Sequence, residues 1–252
     1  MLALITRPAE DTGPLAALLA ARGVVAVSEP LLAIRRIAGA APDLDGVQAV
    51  LFTSANGARA FAAAAARRDL PVLAVGEATA EAARLLGFGE VVSAGGAVEA
   101  LAALAADRLD PGGGALLHAA GSVVAGDLAA LLAAGGFRVR RAVLYAADPV
   151  AALSPGTAAT LRERRIAAAF FFSPRTAAHF VTLARAVRLD ETCDTVTAFS
   201  LSPAVARELA PIAWARSVVA ASPDQAAMLT AFDDFLAGRR AAAGTAKGQT
   251  GS

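Results

Sequence analysis

The sequence predicts an α/β protein built as two similar lobes, and three observations carry that expectation. Short apolar runs of strand length alternate with Ala- and Leu-rich stretches of helical length, the pattern of βαβ units and parallel sheets. The alternating units then recur in the same order later in the chain, as in an internal duplication. Two extended, Pro-bounded segments, 30–37 and 141–149, stand outside the repeat and read as strands or linkers.

Taken in order, strands are expected at 2–6, 49–53, 72–75, 90–92, 114–118, 168–172, 197–201 and 217–220. Helices are expected at 14–22, 55–66, 78–86, 97–106, 124–134, 175–187, 203–209 and 223–237. Eight such units in one chain would also suit a closed barrel, and the repeat decides against it. Segment 15–23 (LAALLAARG) recurs as 128–136 (LAALLAAGG), and 52–61 (FTSANGARAF) aligns with 171–180 (FFSPRTAAHF) at an offset of 119. Weaker matches join 76–80 to 202–206 and 97–101 to 225–229. The chain therefore reads as two flavodoxin- or Rossmann-like lobes of four strands each. If the chain leaves the first lobe after one unit and returns after finishing the second, the two outside segments would pair as a hinge. The tail from Gly238 to Ser252 is small and polar and is expected to be disordered.

Composition excludes more than it suggests. Of 252 residues, 70 are alanine, so a 56% hydrophobic content overstates how apolar the chain is. A membrane span needs about 20 consecutive apolar residues, and the richest run ends at Arg67 and Arg68. No basic segment precedes a long apolar stretch at the N-terminus, which does not read as a signal peptide. A cytoplasmic protein is expected, without membrane association. The single cysteine, Cys193, allows no internal disulfide, and His118 and His179 stand 61 positions apart with no metal-ligand spacing. No metal site is expected from Cys and His. Lys247 is the only lysine, which removes the Walker, kinase and Schiff-base lysines together. The remaining cations are 22 arginines against 22 carboxylates, for a net charge of +1. Without a basic block, nucleic acid is not an expected partner. No G-x-S-x-G elbow surrounds Ser54 or Ser173, and the glycines at 112–114 precede a strand where a dinucleotide fingerprint would follow one.

Chemistry in open α/β sheets sits beyond the carboxyl ends of strands, where helix N-termini offer unpaired N–H groups. Here those ends carry Thr6 and Arg7, then Thr53, Ser54, Ala55 and Asn56, then Ser93, then His118 through Gly121 and Ser122, then Ser173 and Arg175, and finally Ser202 and Ser222. Each hydroxyl taken alone fits a helix N-cap worth about 1 kcal/mol. Together they suit an anionic ligand held by backbone N–H groups between two lobes. Tyr145, the sole tyrosine, lies in the second outside segment. On composition alone the favoured reading is a hydrophobic linker contact with a solvated hydroxyl; the alternative is a proton donor in an interlobe cleft, though a phenol with its reference pKa near 10 is a weak acid. Trp214 reads as packing, and both histidines read as structural.

Leu4-Ile-Thr-Arg-Pro8, Leu15 and Leu18 with Gly23, Pro30-Leu-Leu32, Leu51-Phe-Thr-Ser-Ala-Asn56 with Phe61, Val75-Gly-Glu-Ala-Thr-Ala80 with Gly87, and Tyr145 together resemble uroporphyrinogen-III synthases, up to about Leu236. The resemblance implies two lobes joined by a two-stranded linker, one of them discontinuous: 1–34 with 148–238, and 38–142. It implies a lyase that closes hydroxymethylbilane, a linear tetrapyrrole polycarboxylate, to uroporphyrinogen III with loss of water and inversion of ring D. It implies no cofactor, and two lobes enclosing one cleft suit a monomer. Tyr145 matches the family's proposed acid for the leaving hydroxyl. Substrate carboxylates would meet Thr53 to Asn56, Gly76, Thr79, Gly121, Ser122, Ser173, Arg175 and Ser202, with Arg7 as a charge partner. One departure is visible: where the family often has Gly-x-x-Thr, this chain reads Ser202-Pro-Ala-Val205, so only backbone could serve at 205. The competing reading is a two-lobed binding or sensor module for a small anion, without catalysis.

Overall fold

The computed structural model describes residues 1–124 and 126–248. The chain divides into two compact units, one formed by Met1–Ala33 with the chain from Pro149 onward, the other by Ile34–Asp148. Each contains a largely parallel sheet with helices on both faces.

In the first unit, β1 (Leu2–Ile5) leads through α1 (Ala9–Ala20) to β2 (Val25–Ser28). After the second unit the chain returns through α6 (Pro155–Arg162), β9 (Ile166–Phe171), α7 (Pro174–Ala186), β10 (Thr197–Ser200), α8 (Pro203–Leu209), β11 (Arg216–Val219) and α9 (Gln225–Gly248). The sheet order is β11-β10-β9-β1-β2. Alternation along the strands sorts the core into two layers. Leu4, Ala169 and Phe171 pack with Phe180, Leu183 and Val205 of α7 and α8, while Ala3, Ile5, Phe170 and Phe199 pack with Leu15, Leu19 and Phe232 of α1 and α9.

The second unit runs through β3 (Leu32–Arg36), β4 (Val47–Phe52), α2 (Ala55–Ala64), β5 (Val72–Ala74), α3 (Glu77–Leu85), β6 (Val91–Ser93), α4 (Val98–Arg108), β7 (Ala115–Gly121), α5 (Leu128–Ala134) and β8 (Val139–Pro149). Its sheet order is β3-β8-β7-β4-β5-β6. Val50, Phe52, Leu117 and Ala119 face Phe61 and Phe88, and Ala49, Leu51 and Leu116 face Leu101, Leu128 and Leu132.

The sheet orders carry the duplication into three dimensions. Strand β1 with its helix, then β9, β10 and β11, match β7 with its helix, then β4, β5 and β6, in the spatial order the repeat requires. In the second unit, the repeat element that comes first in space comes last in sequence. The segments in which the chain crosses between units are β3 and β8, neighbours in the second sheet, with Ile37 N donating to Leu144 O at 2.9 Å.

Several expectations need correction. The sheets have five and six strands where the repeat predicts four each. β2 escapes a sequence reading because it is only four residues long and ends in Ser28, yet it pairs in parallel with β1 from Leu2↔Val25 to Ile5↔Ser28. Helix α1 starts at Ala9, with Glu10 and Asp11 in its first turn, where acidic side chains favour the helix dipole. Pro14, expected to start the helix, lies inside it. Helix α6 is not among the expected ones, although Ser154 caps it, accepting from Thr157 N at 3.2 Å, and Pro155 opens it. The tail does not turn disordered at Gly238: α9 continues to Gly248, in keeping with the strong helix propensity of the alanines that follow Arg240. Residues 249–252 of that tail lie outside the described residues.

Local chemistry explains where the helix nearest the candidate site begins and ends. Ser54 caps α2 with its hydroxyl oxygen, which accepts from Gly57 N at 3.1 Å. At the other end, the Arg68 guanidinium donates to Ala62 O at 2.8 Å and Ala65 O at 2.7 Å, satisfying carbonyls that a helix terminus leaves unpaired.

Candidate functional site

In a doubly wound sheet the ligand crevice opens where neighbouring strands send their helices to opposite faces. In the second unit this point lies between β4 and β7, paired from Val47↔Ala115 to Leu51↔His118. The strand ends there gather five of the expected residues: Thr53, Ser54, Gly121, Ser122 and Tyr145. Ser54 Oγ lies 2.8 Å from the Tyr145 hydroxyl while also accepting from Gly57 N. Ser122 N donates to Tyr145 O at 2.8 Å. Tyr145 is 9% exposed, and its ring belongs to the core cluster around Phe52 and Phe61, while its hydroxyl meets Ser54 in a part-buried contact.

Two backbone features put the phenol there. The β7–β8 register shifts between Ala120 and Gly121, so Ala120 faces Val143 and Gly121 faces Tyr145. Such an extra residue re-aims a side chain, and Leu144 and Tyr145 accordingly pack into the same core cluster. Gly121 then admits the ring, since a Cβ there would stand 2.9 Å from the Tyr145 ring carbons. Gly57 works in the same way below α2, where a Cβ would approach Ala119 O to 2.6 Å. Both glycines are needed for close approach, one to a ring and one to a backbone.

Ala55 and Asn56 occupy the first positions of α2, whose N–H groups have no acceptor within a helix. The Asn56 side chain accepts from Arg59 at 2.9 Å. On the neighbouring helix, Gly76 is the N-cap of α3 without a side-chain cap bond. Thr79 is largely buried near the start of α3.

His118, named at its strand end but read as structural, and Arg141, not read from the sequence, belong to the same cluster. His118 is buried, with Nε2 3.0 Å from Thr53 Oγ1. The Arg141 guanidinium donates to Gly121 O at 2.7 Å and Ser122 O at 2.9 Å, fixing the turn that follows β7. The strand that carries His118 is legible in the sequence, but its pairing with Thr53 depends on β4 and β7 being neighbours. Burial, and secondarily the charge of Arg141, pulls the His118 pKa down to about 4. The unfolded chain takes up this proton near pH 6.5 and the folded chain only near 4, so stability falls as pH drops through that window, by on the order of 3 kcal/mol in all. We expect the melting temperature to decline between pH 7.5 and 5, and the H118Q variant to decline less. An identical decline in both proteins would contradict this assignment.

In the first unit the equivalent point lies between β1 and β9, and it gathers Arg7, Ser173 and Arg175. Ser173 repeats the geometry of Ser54, capping α7 by accepting from Thr176 N at 3.1 Å and meeting Thr176 Oγ1 at 2.7 Å. The Arg7 guanidinium lies 3.8 Å over the Phe172 ring and donates to Gln225 Oε1 at 2.7 Å. Its burial lowers its pKa, against a smaller opposing effect of Asp11. Phe172 and Gln225, unread in the sequence, thus hold this cation in place. Arg175 is exposed on the first turn of α7. Ser202 stands apart as the N-cap of α8 without a side-chain cap bond, and Val205 is buried in that helix.

The other notable residues are structural. His179 meets Val150 O at 2.8 Å, and Trp214 donates to Leu209 O at 3.0 Å beside Phe171 and Phe180. Burial raises the Cys193 pKa to about 12. Among the described residues, no three His, Cys, Asp or Glu side chains gather as a metal site. Two hollows among the described residues lie elsewhere, one of about 220 Å³ beside Arg36 and Ala64 and one of about 300 Å³ beside Arg22 and Arg240. Neither holds a strand-end hydroxyl.

Fold and site together define a duplicated, doubly wound α/β protein with hydroxyl-capped helices at its switch points and a single phenol in one of them. The sequence model of the uroporphyrinogen-III synthase HemD family matches residues 13–230, and the chain belongs to that family. A search of curated proteins finds no significant match. Among solved structures, the chain is similar to the uroporphyrinogen-III synthetase of Helicobacter pylori, at 17% identity and a TM-score of 0.60 over 92% of this chain and 98% of that one. It is similar also to a mutant uroporphyrinogen III synthase of Thermus thermophilus, at 19% identity and a TM-score of 0.54 over 94% and 98%. These likenesses concern the fold. Family membership makes the chain an enzyme of heme biosynthesis that acts on a tetrapyrrole.

Proposed function

We propose that this enzyme is a cyclising lyase whose general acid is Tyr145, converting hydroxymethylbilane to uroporphyrinogen III without a cofactor. The observation that carries the reading is the phenol itself, drawn by a bulge to the N-terminus of α2 at the β4–β7 switch point. Tyr145 gives its proton to the ring A hydroxyl, which leaves as water and generates an electrophilic azafulvene. Ring D attacks through its substituted α-carbon, and the resulting spiro-pyrrolenine fragments and recloses in the opposite sense. The last pyrrole proton lost returns the charge balance.

The unassisted substrate closes without inversion, so the protein's larger task is to hold the chain ends where the spiro geometry is reached first, a proximity effect. The N–H groups of Ala55 and Asn56, the start of α3 at Gly76, and the backbone at Gly121 and Ser122 are assigned to substrate carboxylates in the second unit. Ser173, Arg175, Ser202 and Arg7 are assigned the same role in the first. Thr79, near the start of α3, is assigned the same role. No helix among the described residues is long and apolar enough to cross a membrane. We assign the enzyme to the cytoplasm as a monomer, with no nucleic-acid partner.

The test is to supply fresh hydroxymethylbilane and separate the oxidised porphyrin isomers. Isomer III well above the enzyme-free control is expected. Isomer I alone would overturn the assignment and return the anion-binding module as the better reading.

A further inference from the structure

The contact between Ser54 and Tyr145 allows either hydroxyl to be the donor, and the hydrogen-bonding partners of Ser54 bias the choice. A serine hydroxyl has one proton and two lone pairs, and a phenol has one proton. Ser54 Oγ already accepts the Gly57 N–H at 3.1 Å and lies 2.8 Å from the Tyr145 hydroxyl. If Tyr145 donates to Ser54, its only proton is used within the protein and none is directed at a leaving group. If Ser54 donates, the phenol proton is free to point outward. The Gly57 N–H favours this second arrangement, because a hydroxyl that accepts one hydrogen bond becomes a better donor in the next.

We propose that Ser54 is a positioning residue that donates its proton to the Tyr145 oxygen, turning the phenol proton toward the substrate and stabilising the phenolate left when that proton departs. The proposal rests on the reading of Tyr145 as the acid, and gives Ser54 a role beyond the carboxylate contact that the family resemblance implies. Proton balance holds: the phenol proton goes to the departing hydroxyl, the Ser54 proton stays on Ser54, and Tyr145 is reprotonated by a pyrrole proton released on ring closure or by water. Three neighbours fix the geometry. Gly121 gives the ring its place, Ser122 N–H holds the Tyr145 carbonyl, and the Arg141 guanidinium anchors the turn between them through two carbonyls.

The experiment is a double-mutant cycle with S54A, Y145F and the pair, measured on the full chain as kcat, KM and melting temperature. S54A should lower kcat about tenfold, a hydrogen bond to a group that becomes charged, and change KM by less than about threefold. S54T, which keeps both hydroxyl and cap, should restore kcat to within about threefold. In the Y145F background, S54A should cost no further kcat, since the group it serves is gone. The cap lost with Ser54 should lower the melting temperature in either background, which separates a folding defect from the catalytic one. Additive kcat losses would overturn the positioning role while leaving Tyr145 as the acid. Equal losses for S54A and Y145F would also overturn it, because they would make Ser54 the proton donor itself. Unchanged turnover in Y145F would remove both the acid and the residue that positions it.

Discussion

Replacing Tyr145 by Phe should lower turnover about a hundredfold and leave isomer III as the enzymatic product. General-acid assistance contributes roughly 10²–10⁴-fold, and the lower end fits a substrate whose hydroxyl departs readily with electron release from its own pyrrole. The substitution keeps the ring against Gly121 and within the core cluster of Phe52 and Phe61, so the fold should persist. Slower enzymatic closure leaves more time for uncatalysed closure, and the fraction of isomer I should rise as enzyme concentration falls. Rates from a stopped, oxidised assay and separation of the isomers give both numbers. Turnover equal to wild type would end the acid assignment, whereas complete loss of isomer III would mean that the phenol also shapes the substrate.

The largest loss of stability is expected from Phe170→Ala. Phe170 is fully buried on β9, stacked on Phe199 at 5.2 Å and edge-on to Phe232 at 5.1 Å between ring centroids. Removing a buried phenyl ring costs about 3–5 kcal/mol through lost transfer energy and the cavity left behind. The site also joins β9 to α9: Phe232 would lose its edge-on contact with Phe170 and keep only Phe199 and Phe235 in the row of aromatic contacts. For a chain of this size, such a loss corresponds to a fall of about 10 °C in melting temperature, readable by calorimetry. Phe170→Leu should recover more than half of it. A fall of only about 1–2 °C would mean that α9 closes over the gap.

Much of the fold is legible in the sequence because the core alternates. Strand runs such as 168–172 and helices with buried faces at Leu15 and Leu19 declare themselves through spacing. The repeat then implies a strand order that no single strand could give. What escapes is set by pairing over distance. β2 is short and has no fully buried residue, and only its bonds to β1 make it a strand. The bulge at Gly121 has no sequence signature of its own. The hydroxyls of Ser54 and Ser173 are visible as caps, and both do cap helices. That one of them also touches a phenol 91 positions away follows from strand order plus a one-residue slip. The contacts of Arg141 and His118 escape for a related reason, since their partners at 121, 122 and 53 come near only across paired strands.

The interrupted first unit also bears on synthesis. β1 pairs with β9 from Leu2↔Ile166 onward, so the two partners are made far apart in time. The second unit, by contrast, is one continuous stretch from Ile34 to Asp148. At about 5–20 residues per second on the ribosome, the second unit can be complete while the inner edge of β1, after about 8–30 s in all, still waits for its partner. During that interval, Leu4 and Ile5, both fully buried in the finished protein, lack half of their cover. The nascent chain thus presents an open strand edge at β1, where chaperones and misfolding compete before β9 emerges.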